Sequence, residues 1–265
     1  MNKHTFQPAL LFIILFLVTS ISMAQWVQTN GPFGGSINSF AVSGSNIFAG
    51  TLGGGIYLST NNGTNWTPVN NGLTNNYILS LAVSGSNIFA GTWGGGIYLS
   101  TNNGTNWTPV NNGLTNNYIL SLAVSGSNIF AGTWGGGIYL STNNGTNWTP
   151  VNNGLAYTYV LSLAVSGGNI FAGTIFGVYL STNNGTNWTR ANNGLINSSV
   201  YTLAVSEGNI FAGTFNGVYL STDNGTNWTP VNNGLTKASV YTLAVSGGNI
   251  FAGTFNGVYL STDNG

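Results

Sequence analysis

The sequence predicts an all-β protein, a β-propeller of four-stranded antiparallel blades, and three observations carry that expectation. The triplet Phe-Ala-Gly recurs at Phe48, Phe89, Phe130, Phe171, Phe211 and Phe251, at spacings of 41, 41, 41, 40 and 40 residues. A period near 40 belongs to propeller blades or to helical pairs. Within each period the apolar residues alternate over five or six positions and are interrupted by Gly and Asn clusters, a pattern that excludes helical repeats. Trp, Tyr, Phe, Ile, Leu and Val also return at fixed places in a chain rich in Gly, Asn, Ser and Thr. Such spacing argues for a packed fold over disorder.

Taken in chain order, residues 1–24 read as a secretory signal peptide. Lys3 and His4 begin it, Ala9 to Val18 form an apolar run, and Ser22-Met23-Ala24 resembles a small-x-small cleavage site, with cutting expected after Ala24. The run is well short of the roughly 20 residues a spanning helix needs, and no second apolar segment follows. Export to the cell surface or medium of a bacterium is therefore expected, with no membrane insertion once the signal is removed. A chain without cysteine has nothing to carry a lipid anchor and no disulfide framework.

Residues 25–265 form the propeller domain, six repeats of about 40 residues. After the signal the charged residues are Arg190, Lys237, Glu207, Asp223 and Asp263, too few and too balanced for a nucleic-acid partner. In the second repeat, strand A is expected over Ile78 to Ser84, B over Asn87 to Thr92, C over Gly96 to Ser100 and D over Thr105 to Val110. Gly85-Ser86, Gly94-Gly95 and Asn103-Gly104 supply the turns between them, where positive φ is cheap. Strand A sets Leu79, Leu81 and Val83 on one face against Ile78 and Ala82 on the other, which suits a strand buried on both sides. The small residues Ala82, Ala90 and Gly91 fall on the inner strands and Trp107 on the outer one, as a wedge-shaped blade requires.

Gln25-Trp26-Val27-Gln28 matches a D strand, and the last repeat stops at Gly265 before its own. The expectation is a six-bladed ring closed by the N-terminal strand pairing with Gly257 to Thr262, which removes two sheet edges. A truncated reading frame is the alternative, and it leaves the blade number open. A β-solenoid is a further alternative to the ring.

The segment Ser221-Thr222-Asp223-Asn224-Gly225-Thr226-Asn227-Trp228 resembles the Asp-box, or BNR, repeat with its Ser-x-Asp-x-Gly-x-x-Trp pattern. Propellers of sialidases, sortilin-type receptors, some xyloglucan-cleaving enzymes and photosystem assembly factors carry such boxes. The box is complete through Trp66, Trp107, Trp148, Trp188 and Trp228, and the last copy runs to Asp263 and Gly265. Four copies place Asn61, Asn102, Asn143 and Asn183 where the pattern has Asp. An amide still makes an Asx-turn, but a charge-dependent role does not carry over. A weaker, partial resemblance, through Asn112-Gly113-Leu114, Ala131-Gly132-Thr133 and Gly136-Gly137-Ile138-Tyr139, is to the propeller repeats in sensor domains of two-component regulators.

Catalysis is not expected. The resemblance to sialidases would imply an arginine cluster, and the exported chain has Arg190 alone. A carboxylate pair for glycoside hydrolysis would have to come from Glu207, Asp223 and Asp263, and the two aspartates lie in equivalent turns of different blades. Without histidine after the signal, and without cysteine, there is no triad, thiol nucleophile or ordinary zinc site. No metal and no cofactor are expected. A calcium ion on an Asn-rich turn is disfavoured, because a hard cation wants several carboxylates. Gly94-Gly95-Gly96 precedes neither a helix nor a lysine and reads as a hairpin turn, not a phosphate loop.

Comparison of the copies with one another shows two variable stretches in a nearly invariant frame. One is the B to C turn, with Leu52, Trp93, Trp134, Phe176, Phe215 and Phe255; the other is the D to A connection, with Tyr77, Tyr118, Tyr157 and Tyr159. In an up-and-down blade both leave from the same side, opposite the A to B and Asp-box turns. An aromatic face on that side is the expected binding surface, for a glycan or an extracellular protein, on a monomeric module. Packing of those rings between blades, with the differences being drift among duplicated copies, is the alternative. A structural or adhesive repeat without a specific ligand, and a fragment of a larger secreted glycosidase or sensor, are the alternatives for function.

Overall fold

The computed structural model describes residues 28–196, 199–235 and 239–265. Blade 1 is β1 (Ile37–Ser43), β2 (Asn46–Thr51), β3 (Ile56–Ser59) and β4 (Thr67–Pro68). Blade 2 is β5 (Ile78–Ser84), β6 (Asn87–Thr92), β7 (Ile97–Ser100) and β8 (Thr108–Pro109). Blade 3 is β9 (Ile119–Ser125), β10 (Asn128–Thr133), β11 (Ile138–Ser141) and β12 (Thr149–Pro150). Blade 4 is β13 (Val160–Ser166), β14 (Asn169–Thr174), β15 (Gly177–Ser181) and β16 (Thr189–Arg190). Blade 5 is β17 (Val200–Ser206), β18 (Asn209–Thr214), β19 (Gly217–Ser221) and β20 (Thr229–Pro230), and blade 6 is β21 (Val240–Ser246), β22 (Asn249–Thr254) and β23 (Gly257–Ser261). Every blade is antiparallel in sequential strand order, four-stranded in blades 1 to 5 and three-stranded in blade 6. The fold is an all-β propeller of six blades, and no helix occurs among the described residues.

The hairpins form where the residues make positive φ cheap. Gly85, at φ 61°, turns β5 into β6, and Asn103 followed by Gly104, at 53° and 81°, turns β7 toward β8. The inner strand of each blade packs on that of the next, from β1 on β5 through to β17 on β21. Between each adjacent pair lies one apolar cluster. Between blades 1 and 2 it holds Phe48, Ile56, Ile78, Leu81, Ile88, Ala90, Tyr98 and Trp107, and each fully buried large side chain contributes roughly 1.5–3 kcal/mol. The blades approach closely because the inner strands carry glycine: a Cβ on Gly91 would lie 2.6 Å from Cγ2 of Ile119 in blade 3. Side chains also stitch the inner strands, with the Leu122 N–H donating to Ser80 Oγ at 2.8 Å and the Leu163 N–H to Ser121 Oγ at 2.9 Å.

Three sequence expectations need correction. Strand C of the second blade starts at Ile97, because Gly96 takes φ 76° and leaves the extended region. Strand D shrinks to Thr108–Pro109. The Thr105 and Asn106 N–H groups are spent inside the box, on the carbonyl and Oδ1 of Asn102, and the Trp107 N–H crosses to the Asn71 carbonyl of blade 1. The alternation along strand A is broken by a register shift between Ile78 and Ser80. Ile78 and Leu81 therefore join the same cluster, while Leu79 faces the central cavity described below. The signal peptide, and Gln25 to Val27 of the expected closing strand, lie outside the described residues, as do Asn197, Ser198, Thr236, Lys237 and Ala238.

Candidate ligand-binding face

The variable stretches of neighbouring blades meet at one end of the propeller. Trp93, in the β6 to β7 turn, forms an isolated antiparallel bridge with Tyr118, which leads into blade 3; Leu52 with Tyr77 and Trp134 with Tyr159 repeat the arrangement. The Asn117 carbonyl accepts N–H groups from Gly94 and Gly96 at 3.1 and 3.0 Å, and Asn75 Nδ2 donates to the Trp93 carbonyl at 3.0 Å. The backbone beneath the rings is thus fixed by the asparagines and glycines of the turns.

The rings above it are exposed. Trp93 and Trp134 are 43 % and 45 % accessible, and they make a ladder. Trp93 meets Tyr118 at 5.0 Å and Trp134 at 5.9 Å, and Trp134 meets Tyr159 at 5.0 Å, all edge to face, a preferred geometry for aromatic pairs. A second group sits across blades 4 to 6. Tyr157, half-buried against the blade 3 to 4 cluster, lies 4.3 Å from Phe176, and exposed Phe255 lies 4.7 Å from Tyr241, which stacks on Tyr201 at 5.2 Å. Tyr77 and Phe215 are exposed on their own turns.

Inside this rim lies a cavity of about 310 Å³ to which every inner strand contributes one residue: Asn38, Leu79, Leu120, Leu161, Tyr201 and Tyr241, joined by Trp134. Sequence reading missed these six positions. Their signal was available, since the second residue of strand A is Asn, Leu, Leu, Leu, Tyr and Tyr in the six copies, the position of that strand that varies most in chemical type. The bulge beside Leu79 turns that residue inward toward the axis. The described carboxylates lie at the opposite end, Glu207 in the β17 to β18 turn and Asp223 and Asp263 in box turns. The described aromatic face therefore presents rings, amides and hydroxyls.

The boxes themselves are hairpin clamps. In blade 2, Ser100 Oγ donates to Asn102 Oδ1 at 3.0 Å, and Asn102 Oδ1 also accepts the Asn106 N–H at 3.0 Å. The Gly104 N–H donates to Ser100 Oγ at 2.8 Å. The same Oδ1 bonds recur at Asn61, Asn143, Asn183 and Asp223. Asp223 adds one more, accepting from Asn227 Nδ2 at 2.7 Å. These bonds from Asn227 and from Ser221 hold the exposed Asp223 carboxyl below its ordinary value. A carboxylate held ionised in this way is a poor proton donor. Ser261 Oγ donates to Asp263 Oδ1 at 2.9 Å in the last copy. Trp107, Trp148, Trp188 and Trp228 are buried at the blade seams, and Trp66 is half-buried. Among the described residues no three acidic, histidine or cysteine side chains gather as a metal site would need.

No protein-family model and no curated protein sequence matches this chain. Solved structures do match it in fold. YCF48 bound to D1 peptide aligns with a TM-score of 0.74 at 16% identity, over 92% of this chain and 84% of that one. An ancestral GH74 enzyme gives 0.73 at 23% identity, over 90% of this chain and 38% of the enzyme. The extracellular domain of a protein assigned as a one-component system of B. thetaiotaomicron gives 0.72 at 19% identity, over 88% and 34%. This chain thus spans little more than a third of those last two. At such identities the likeness is one of fold, and the fold is shared by enzymes and by other propellers. No helix among the described residues is long and apolar enough to cross a membrane.

Proposed function

We propose that this chain is an exported, non-catalytic binding module that takes a neutral glycan or an extended segment of an extracellular protein on its aromatic face. The observation that carries the reading is the continuity of the exposed Trp93, Tyr118, Trp134 and Tyr159 ladder with the central cavity, through Trp134. Exposed indole and phenol faces beside backbone-fixing amides suit flat sugar faces or a peptide laid across a groove. The scarcity of charge supports a neutral ligand, and the lack of any histidine or cysteine after the signal supports binding over chemistry. The fold neighbour bound to a peptide and the extracellular neighbour are compatible with this role.

The test is binding of residues 25–265, which contain every described residue, to panels of cell-wall glycans and peptides. A Trp93→Ala, Trp134→Ala double variant is run beside it. Neither side chain belongs to a buried cluster between blades, and both are a little under half accessible, so the variant is expected to stay folded, which its melting curve checks. Saturable binding that the double variant loses supports the reading. Binding that survives in the folded variant, or none at all by the native chain, overturns it.

A further inference from the structure

The outer strand repeats almost without change, and one copy departs from it. The strand and the residue after it read Thr67-Pro68-Val69, Thr108-Pro109-Val110, Thr149-Pro150-Val151 and Thr229-Pro230-Val231, but Thr189-Arg190-Ala191 in blade 4. Two adjacent residues differ there. A rigid apolar ring gives way to the one Lys or Arg side chain among the described residues, and a branched side chain gives way to one without its two methyls.

Both differences fall on the same place. Where valine is present it reaches across the seam toward the box glycine of the next blade: a Cβ on Gly104, Gly145 or Gly185 would lie 3.3, 3.2 or 3.3 Å from Cγ2 of Val69, Val110 or Val151. On Gly225 the facing atom is the Ala191 Cβ, at 3.8 Å. A cavity of about 260 Å³ lies there, between Thr189, Arg190, Ala191 and Asn193 of blade 4 and Gly225 and Thr226 of blade 5. It sits at the box end of the propeller, away from the aromatic rings.

The polar groups around it are sorted by the bonds they have already made. A guanidinium brings donors only, and none of the chain's three carboxylates, Glu207, Asp223 and Asp263, pairs with Arg190 among the described residues. Asp223, three residues from Thr226, spends its oxygens inside its own box, on Ser221 and Asn227. Thr226 Oγ1 donates to the Asp223 carbonyl at 2.8 Å, Thr189 Oγ1 to the Leu180 carbonyl at 3.3 Å, and Asn193 Nδ2 to Asn227 Oδ1. With those protons engaged, Thr189 and Thr226 offer hydroxyl lone pairs and Asn193 its Oδ1. The cavity therefore presents one cationic fork of donors and three neutral acceptors.

We propose that this cavity is a second binding site, separate from the aromatic face, for an acidic sugar unit of the hexuronate class. Its carboxylate takes the Arg190 fork, and its hydroxyls donate to Thr189, Thr226 and Asn193. A simple oxyanion has no protons for those acceptors, and a neutral sugar leaves the guanidinium without a counter-charge.

An NMR titration of residues 25–265 with methyl glucuronide tests this, beside methyl glucoside, acetate and a blocked aspartyl dipeptide. The glucuronide is expected to shift the Thr189, Ala191 and Thr226 amides saturably and to bind roughly tenfold more tightly than any of the other three. An Arg190→Pro, Ala191→Val variant writes the residues of the other four copies into blade 4, so it keeps the fold, and it should weaken binding by roughly tenfold, as should Arg190→Gln. The Trp93→Ala, Trp134→Ala variant should bind the glucuronide as the native chain does, which separates this site from the aromatic face. The proposal is overturned by the absence of saturable binding to the native chain, by equal binding of glucoside, acetate or dipeptide, by binding that survives in the Arg190→Pro, Ala191→Val variant, or by its loss in the tryptophan variant.

Discussion

At the scale of single residues, the copies act as internal controls on one another. The first residue of the A to B turn is Gly44, Gly85, Gly126, Gly167 and Gly247 in five blades, at φ between 56° and 61°, but Glu207 in blade 5, at 51°. A side chain in that region costs roughly 1–2 kcal/mol, offset in part by the greater freedom of glycine in the unfolded chain. Glu207→Gly is expected to stabilise the protein by about 0.5–1 kcal/mol, read as a rise in the denaturant midpoint. The box shows the same logic in its amides. The shared bonds of the clamp use Oδ1 alone, which an amide offers as well as a carboxylate, so Asn replaces Asp at little structural cost. Only Asp223 feels pH among the residues of that box. Its folded value is depressed by the bonds from Asn227, so its contribution is fully present above the ordinary value of 3.8 and is lost as pH falls through the lower folded value. An NMR titration following the Asn227 amide should give a midpoint below 3.8. A midpoint at or above that value would remove the argument.

At the scale of elements, the outer strand is the instructive case. Each D strand has two paired residues, too few to hold by its ladder alone, and the tryptophan beside it anchors the hairpin to the previous blade. Trp148→Ala empties a fully walled site and is expected to cost about 3–5 kcal/mol. Trp66→Ala, at a half-buried ring without an acceptor among the described residues, should cost less than half as much. Urea midpoints of the two variants give the comparison, and equal losses would refute the anchoring role. The strand order, the turns and the wedge of small inner residues were legible in the sequence, because period-two alternation and Gly or Asn punctuation are local signals. The shortening of strand D was not, because it depends on N–H groups leaving the ladder for Asn71 in another blade. Nor was the inward turn of Leu79, which follows from a bulge that no residue type announces. The aromatic positions could be named from variation among copies, but their union into a ladder beside a cavity needed the bridges between turn and connection, such as Trp93 with Tyr118.

At the scale of the whole molecule, stability is distributed over seams that repeat, so it should behave as a sum of nearest-neighbour terms. A central blade is covered on both flanks: Ile138 of blade 3 is fully buried and Trp148 is 3 % accessible. Among the described residues blade 6 is covered on one, with Val258 and Leu260 exposed and β23 at the edge of its sheet. Local opening is cheapest where the least apolar surface must be exposed, so hydrogen exchange should rank the blades. The amides of β21 to β23 are expected to exchange at least tenfold faster than those of β9 to β11, an opening difference of about 1.4 kcal/mol or more. Uniform exchange across all blades would mean that the seams unfold as one cooperative unit, and the nearest-neighbour account would then be wrong for this propeller.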